Sequence, residues 1–339
     1  MSDSGISRRD LVRRGSVTIA GASLLGLTAC GKEGDGGGGS ASKDGGGGLV
    51  ARSDIRIEMP THMEAADPNT AIMQNGVEQA VKDLGVDAKF RGPQKFSIPD
   101  VQKLFDAAIA AKPTAIAATL PDPSALGPKV EQAVAAGIPV VLFNAGLDDF
   151  ERLGALTYVG QTELQAGEEA GKRLKEAGIT NAIVVNHQQG QLTLETRVEG
   201  VRKGLGGDVK SIAVDGSDPT QIRNGVASAL RDANLEALMT LGPGAAEQAL
   251  KAIKDSGKAD KVKLATFDIS PAVLEAVKAN EILFAIDQQM YFQTYMAILS
   301  LVTYAQYRLR PVTAVPSGPL FVDQESAADI IKLSGEGIH

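Results

Sequence analysis

Tryptophan is absent from this chain, histidine occurs three times, and cysteine occurs once, as Cys30. A single cysteine excludes an internal disulfide and any cluster of thiolate metal ligands. His62 and His187 lie far apart in sequence and the third histidine is His339, a spacing that argues against a histidine metal site. Without tryptophan, no indole face is available to stack on a ligand ring. Catalytic motifs are missing too. There is no G-x-G-x-x-G after the first strand-like run, no G-x-S-x-G elbow, no H-E-x-x-H and no paired Cys and His. No catalytic residue, metal or cofactor is therefore expected. The formal net charge is −7 and, beyond the N-terminal thirty residues, no lysine-arginine cluster interrupts the acidic balance, which argues against nucleic acid and anionic lipid as direct partners. Beyond Cys30 no apolar run approaches the length of a membrane span.

What is present begins with an export pattern. Arg8, Arg9, Arg13 and Arg14 form a positive region, and Val17 to Leu27 an apolar run too short to anchor stably in a bilayer. Leu27-Thr28-Ala29-Cys30 resembles the lipobox of bacterial lipoproteins, which implies cleavage before Cys30 and a diacylglyceryl group on its thiol. Ser7-Arg8-Arg9-Asp10-Leu11 resembles a twin-arginine signal, and the twin-arginine and general export routes both stay open. Residues 1–29 carry four arginines against Asp3 and Asp10, so the remainder carries −9. Residues 31–48 are Gly/Ser-rich and read as a flexible tether. Their glycines do not form a phosphate loop, because no strand precedes them and no Lys-Ser/Thr helix follows.

From Ile55 onward short apolar runs alternate with helical patterns. The runs are Ile55–Met59, Ala115–Leu120, Ile138–Phe143, Ala182–Val185, Leu235–Leu241, Val262–Phe267 and Ile282–Ile286. Val101, Leu104, Phe105, Ala108 and Ile109 keep the spacing of one buried helix face. Val130, Ala133 and Val134 continue such a pattern behind Pro128, placed here as a first-turn residue. Leu164, Gly167, Gly171 and Leu174 put two glycines on a face expected to lie close against a sheet. Nearly continuous apolar strands joined by helices mean parallel sheets covered on both faces. The alternation restarts after Val159, so the fold class is α/β with two doubly wound lobes. Polar residues recur just past the strands: Asp67 and Asn69, Pro121-Asp122, Asn144, His187, Gly242-Pro243, Asp268 and Gln288. Each alone could be a turn or cap. Their recurrence at the carboxyl ends of strands, where open α/β sheets bind ligands, points to a shared cleft.

Over Ile55 to Val322 the chain resembles the type I periplasmic sugar-binding proteins that serve ABC importers. The likeness rests on AAGIPVVLFNAG (135–146), YVGQTELQAGEEAG (158–171), TRVEGVRKGL (196–205), KLATFDISPAVLEAVKANEI (263–282) and FAIDQQMYFQTY (284–295), taken in this order together with the lipobox. The resemblance implies lobes joined by hinge crossings. Residues 53–160 plus 289–317 would form an N-terminal lobe and 161–288 plus 318–339 a C-terminal one, behind a signal peptide (1–29) and a lipidated tether (30–52). It also implies a monomer that binds a small polar, sugar-like ligand and docks to a membrane permease, held to the membrane outside the cytoplasm by lipid alone.

By the same resemblance, Asn144 matches the family's acidic or amide residue after the fourth strand. Arg197 matches the arginine of R-x-x-G, Asp268 the aspartate of [GT]-F-D, and Gln288 a glutamine at a lobe crossing. Asp67 and Asn69 fall in the loop that supplies ligand contacts, and Asp218 near a further contact position. His187 joins this set by its place after a strand. Carboxylates, guanidinium and amides together suit hydroxyls that both donate and accept. The chain departs from the family in Asn69-Thr70 where an aromatic pair is usual, in Gly242 where an asparagine is common, and in Met290 and Thr294 after Gln288. These departures bear on the ligand, which is not expected to be ribose or glucose; a monosaccharide, polyol or sugar derivative remains. A sensory receptor presenting a sugar-like signal to a membrane kinase would use the same clamp. An enzyme lacks its motifs, and a transcription regulator of this fold would need a helix-turn-helix where the export signal stands.

Cys30→Ser is expected to release the protein from membrane fractions, with the lipid adduct on the wild type seen by mass spectrometry. Continued sedimentation of the variant, with no lipid on the wild type, would exclude the anchor.

Overall fold

The computed structural model describes residues 50–339; the export segment, Cys30 and the Gly-rich stretch lie outside the described residues. In the first half of the chain, β1 (Arg56–Pro60), α1 (Pro68–Leu84), β2 (Asp87–Arg91), α2 (Ile98–Ala110), β3 (Ala115–Ala118), α3 (Pro123–Ala135), β4 (Val140–Phe143) and β5 (Tyr158–Gly160) follow one another. A second series follows: α4 (Glu163–Glu176), β6 (Asn181–Asn186), α5 (Leu192–Leu205), β7 (Asp208–Ala213), α6 (Pro219–Ala229), β8 (Ala237–Thr240), α7 (Pro243–Asp255), β9 (Lys263–Phe267), α8 (Pro271–Lys278) and β10 (Ala285–Asp287). The chain ends with α9 (Met290–Tyr307), β11 (Val315–Pro316), β12 (Leu320–Val322) and α10 (Ala327–Ser334).

These strands form two six-stranded sheets, ordered β11-β5-β4-β3-β1-β2 and β12-β10-β9-β8-β6-β7. Every pairing is parallel except β10 with β12. Each sheet is covered on both faces, and the alternation of side chains along a strand feeds two cores at once. In β4, Val141 and Phe143 enter the core shared with α1 and α9, while Val140 and Leu142 enter the one shared with α2 and α3. In β8, Leu238 faces α6 and α7, whereas Ala237 and Met239 face α4 and α5. Burying a side chain such as Phe143 is worth about 1.5–3 kcal/mol, so each central strand ties two helix layers together. The chain passes between the sheets three times, at residues 161–162, 288–289 and 317–319. Among the described residues no helix is long and apolar enough to cross a membrane.

The expected central strands are present, and five further strands appear. β2 (DAKFR) and β7 (DVKSIA) are sheet edges with no fully buried residue, so they carry charges and lack a continuous apolar run. Charges such as Asp87, Lys89 and Arg91 also discourage an edge from pairing with another chain. β5, β11 and β12 are two or three residues long, too short to show a period.

Two local readings are corrected. α3 begins at Pro123, where the Asp122 carboxylate accepts from the backbone N–H groups of Ser124 and Ala125. Pro128 therefore lies inside the helix and deletes one intrahelical bond, while Leu126 and Val130 around it remain buried. The glycines of α4 meet another helix, not a sheet. A methyl group at Gly167 would lie 2.3 Å from the Arg197 carbonyl oxygen, and one at Gly171 2.5 Å from the Val201 carbonyl oxygen. From the α5 side, Gly200 and Gly204 approach the backbone at Leu164 and Glu168 in the same way.

Because the obstructing atoms are backbone, Gly200→Ala is expected to destabilise the protein by about 1–3 kcal/mol, measured as a lowered denaturant midpoint. Gly244→Ala, where a methyl meets nothing within 4 Å, should not lower it.

Candidate functional site

A cavity opens where the carboxyl ends of strands from both sheets meet. The first sheet contributes His62 and Glu64 after β1, Asp67 and Asn69 at the start of α1, and Asn144 after β4. The second contributes His187, Gln188 and Gln191 after β6, Arg197 on α5, Gly242 and Pro243 at the start of α7, and Asp268 after β9. Glu163 and Gln288 enter from the first and second crossings. Both Asn144 (φ 62°) and Asp268 (φ 61°) directly follow a phenylalanine that ends a central strand, and both take the left-handed backbone. Among L side chains Asn and Asp tolerate that conformation best, and strained backbone of this kind concentrates at functional sites. Each sheet thus presents one such residue to the cavity.

The close approach of α4 and α5 places two opposite charges together in a buried setting. Arg197 Nε and Nη2 donate to Glu163 Oε2 and Oε1 at 2.5 and 3.1 Å, a bidentate pair. The guanidinium lies over the Phe267 ring at 4.6 Å, and its Nη1 is 3.8 Å from Asp268 Oδ2. Gln288 Nε2 donates to Asp268 Oδ1 at 2.6 Å, and Asn144 Nδ2 donates to Gln288 Oε1 at 3.0 Å. The result is an unbroken polar ladder, Glu163–Arg197–Asp268–Gln288–Asn144, running from one sheet to the other. Two more bonds join the lobes directly: Gln191 Nε2 with His62 Nε2 at 3.1 Å, and Gln188 Nε2 to Glu64 Oε1 at 3.2 Å.

Behind the ladder, glutamine amides knit the crossings together. Gln293 Nε2 donates to the Gln288 carbonyl oxygen (2.9 Å) and to Ser317 Oγ (3.0 Å), and Gln289 Nε2 to the Ser317 carbonyl oxygen (2.6 Å). Gln161 Nε2 donates to Glu163 Oε2 at 3.0 Å. Tyr158 Oη donates towards the carbonyl oxygens of Asn144 (2.9 Å) and Gln161 (3.2 Å).

Two buried atoms on the cavity wall, Gln191 Oε1 and His187 Nδ1, have no protein hydrogen-bond partner. Buried polar groups almost always find one, so both suit a polar ligand. The His187 ring is wedged between Gly216 and Gly242: a methyl on Gly242 would lie 2.8 Å from its Cε1. A glycine stands at 242 because the imidazole occupies the space a side chain would take.

Of the eight residues expected in a site, the structure brings seven to this cavity: Asp67, Asn69, Asn144, His187, Arg197, Asp268 and Gln288. Asp67 also caps α1, accepting from the Asn69 N–H at 2.8 Å. Asp218 is the exception. It lies outside the cavity, where its carboxylate accepts from the Thr220 and Gln221 N–H groups and caps α6. An aspartate directly before a proline that opens a helix is a cap signature. Among the described residues no group of three or more His, Cys, Asp or Glu side chains is placed to hold a metal ion.

Burial and the nearby Arg197 charge lower His62 from 6.5 to about 4, and His187 likewise to about 4. Burial raises Asp268 from 3.8 to about 7, opposed by Arg197 and the Gln288 bond. Burial works against the charge of Arg197, but Glu163 and Asp268 together hold its pKa above the ordinary range. The signs follow by linkage. Unfolded His62 takes up a proton near 6.5 and folded His62 only near 4. Its contribution is therefore full above pH 6.5 and is lost as pH falls towards 4. Asp268 acts in the opposite sense: its contribution is full below about 3.8 and is lost as pH rises through 7. In denaturant titrations, His62→Gln is expected to remove part of the stability lost between pH 6.5 and 4. Asp268→Asn should remove part of the loss between pH 4 and 7. Parallel pH curves for wild type and both variants would contradict these shifts.

Comparison with known proteins agrees with this architecture. The family model described as "Periplasmic binding protein domain" matches residues 64–308. A carbohydrate transporter from Acidothermus cellulolyticus 11B, solved in complex with myo-inositol, is 36% identical, with a TM-score of 0.80 over 84% of this chain and 99% of that one. A periplasmic sugar-binding protein of an ABC sugar transporter from Legionella pneumophila is 24% identical, with a TM-score of 0.73 over 78% of this chain and 99% of that one, a likeness of fold. The xylose/arabinose-binding protein of Sulfolobus acidocaldarius is 24% identical over 68% of this chain; the aligned region spans only 61% of that relative's length. Two doubly wound lobes, three crossings and a polar cleft between them accompany a family match over most of the sequence: the chain belongs to the periplasmic binding protein family.

Proposed function

We propose that this chain is the extracytoplasmic solute-binding lipoprotein of an ABC importer, anchored through Cys30, and that it captures a neutral polyhydroxylated ring between its lobes. The observation that carries the reading is the buried ladder from Glu163 to Asn144. It offers two carboxyl groups, a guanidinium and two amides, drawn from both sheets, to hydroxyls that donate and accept. With a pKa of about 7, Asp268 can either donate to a ring hydroxyl or accept from one near neutrality. The inositol complex of the Acidothermus carbohydrate transporter supports a cyclic polyol as the first compound to try, as does the lack of Trp, Tyr and Phe on the inner cavity wall.

The mechanism is closure. In this conformation the polar side chains bond one another across the inner pocket, which holds about 50 Å³ of free space. A ring-sized ligand enters by exchanging those bonds for its own while the lobes part and close again. Contacts to both lobes favour the closed form, because a ligand shifts an equilibrium only by its differential affinity for the two states. The closed form is the one presented to the permease.

A thermal-shift screen of the full chain against myo-inositol, D-xylose, D-arabinose, D-galactose and D-glucose tests the reading. A ligand at a hundred times its Kd should add about 2.7 kcal/mol of stability. Gln288→Ala is expected to cost about 1.5–3 kcal/mol in affinity, since it leaves buried partners unpaired. Arg197→Ala should also cost about 3–5 kcal/mol of fold stability, because Glu163 would be left buried without its counter-ion. Scattering should show contraction on ligand addition; an unchanged radius of gyration at saturation would remove the clamp mechanism.

A further inference from the structure

The inner pocket opens directly into a second, larger chamber. Glu64, Asp67, His187, Gln188, Gly242 and Pro243 line both. The outer chamber is half open to solvent and holds about 880 Å³, within the range of small-molecule clefts. It is built at the carboxyl ends of the outermost strands. β2, one edge strand, leads into Gln94, Lys95 and Phe96, and β7, the other, into Val214, Asp215 and Ser217. Both lobes thus extend the same cleft on one flank, at the end of the sheet where α/β folds hold ligands.

The two cavities differ in chemistry. Phe96 is the one phenylalanine, tyrosine or tryptophan on either wall. It is half-buried, and its ring stands edge-on to His62 with centroids 6.1 Å apart. Around it are the amides of Gln94, Gln188, Gln189 and Gln221, each with a donor and an acceptor. Among the charges, Glu64, Asp67 and Asp215 outnumber Lys95, which disfavours a phosphate or carboxylate. An aromatic ring among amides suits a neutral body with one C–H face and a rim of hydroxyls, and the acidic excess excludes an anionic one.

We propose that the ligand is a neutral two-ring compound, a disaccharide or a glycoside of a cyclic polyol, with one ring on the inner ladder and the other in the outer chamber against Phe96. This rests on the inner pocket being a polyol site. In that arrangement Gln188 sits at the junction, where it lines both cavities, and the aromatic contact lies on the second ring instead of the first.

The test is calorimetry on the full chain with myo-inositol, D-galactose and D-glucose, set against galactinol, melibiose and maltose. At least one two-ring compound is expected to bind ten or more times tighter than either of its own rings. Phe96→Ala and Gln221→Ala should each shrink that ratio several-fold, with single-ring binding as the reference within each variant. Gln221 is exposed, so its variant keeps the test open if Phe96→Ala folds poorly. If single rings bind and no two-ring compound binds tighter, the outer subsite is overturned while the proposed function stands. If no compound in either set binds, this inference falls, and the proposed function falls with it only if D-xylose and D-arabinose also fail in the thermal-shift screen. A two-ring advantage untouched by both variants would also overturn the assignment to this chamber.

Discussion

The close contact of α4 with α5 is the constraint on which the cleft depends. Gly167 and Gly171 on one helix face Gly200 and Gly204 on the other, and no side chain separates the two backbones. That proximity puts Glu163 within bidentate reach of Arg197 inside a region that excludes water. An unpaired guanidinium there would be several kcal/mol too costly to keep. Once paired, it can stand at the cavity wall and hold Asp268, whose Gln288 bond carries the order across to Asn144. Helix packing, ion pairing and ligand chemistry are consecutive links of one chain of cause.

The connections between the lobes follow a related logic. Each crossing is short, and Gln289 and Gln293 hold the second crossing against the third through their amide bonds to Ser317. An amide satisfies a carbonyl and an N–H together, so it can bind backbone in a segment that belongs to neither sheet. Gln288 uses its backbone oxygen for Ser317 of the neighbouring crossing and its side chain for the cleft. Motion of the lobes and occupancy of the cleft are therefore coupled through a single residue.

What could be read from the sequence follows from burial. β3, β4, β6, β8 and β9 were legible because both of their faces are covered and apolar residues run through them without a break. β2 and β7 were not, because an edge strand satisfies one neighbour and meets water on the other side. Asn144, Asp268 and Gln288 were legible because they follow strands directly. Glu163 was passed over because an acid in the first turn of a helix is ordinary, favoured there by the helix dipole. Gln191 and Gln188 sit in a loop between a strand and a helix, where no period marks them, and His62 stands two residues past the end of β1 with no motif around it. Asp218 resembles the site residues in sequence because a helix cap and a ligand contact use the same residue type at the same place in a strand–helix unit.

The sheet orders also bear on how the chain becomes folded as it is made. The first sheet is built from residues 56–160 but takes its edge from β11 and one of its covering helices from α9, more than a hundred residues later. The second sheet is contiguous up to β10 yet is finished by β12 and α10. Neither lobe has all its parts until the segments from α9 to α10 have been made. Late segments carry Ala297, Ile298, Leu301 and Val302 into the core of the first lobe, so a nascent chain lacking them exposes an apolar sheet face. Once α9, β11, β12 and α10 are in place they close both halves in one step, so the two lobes are completed together and not one after the other.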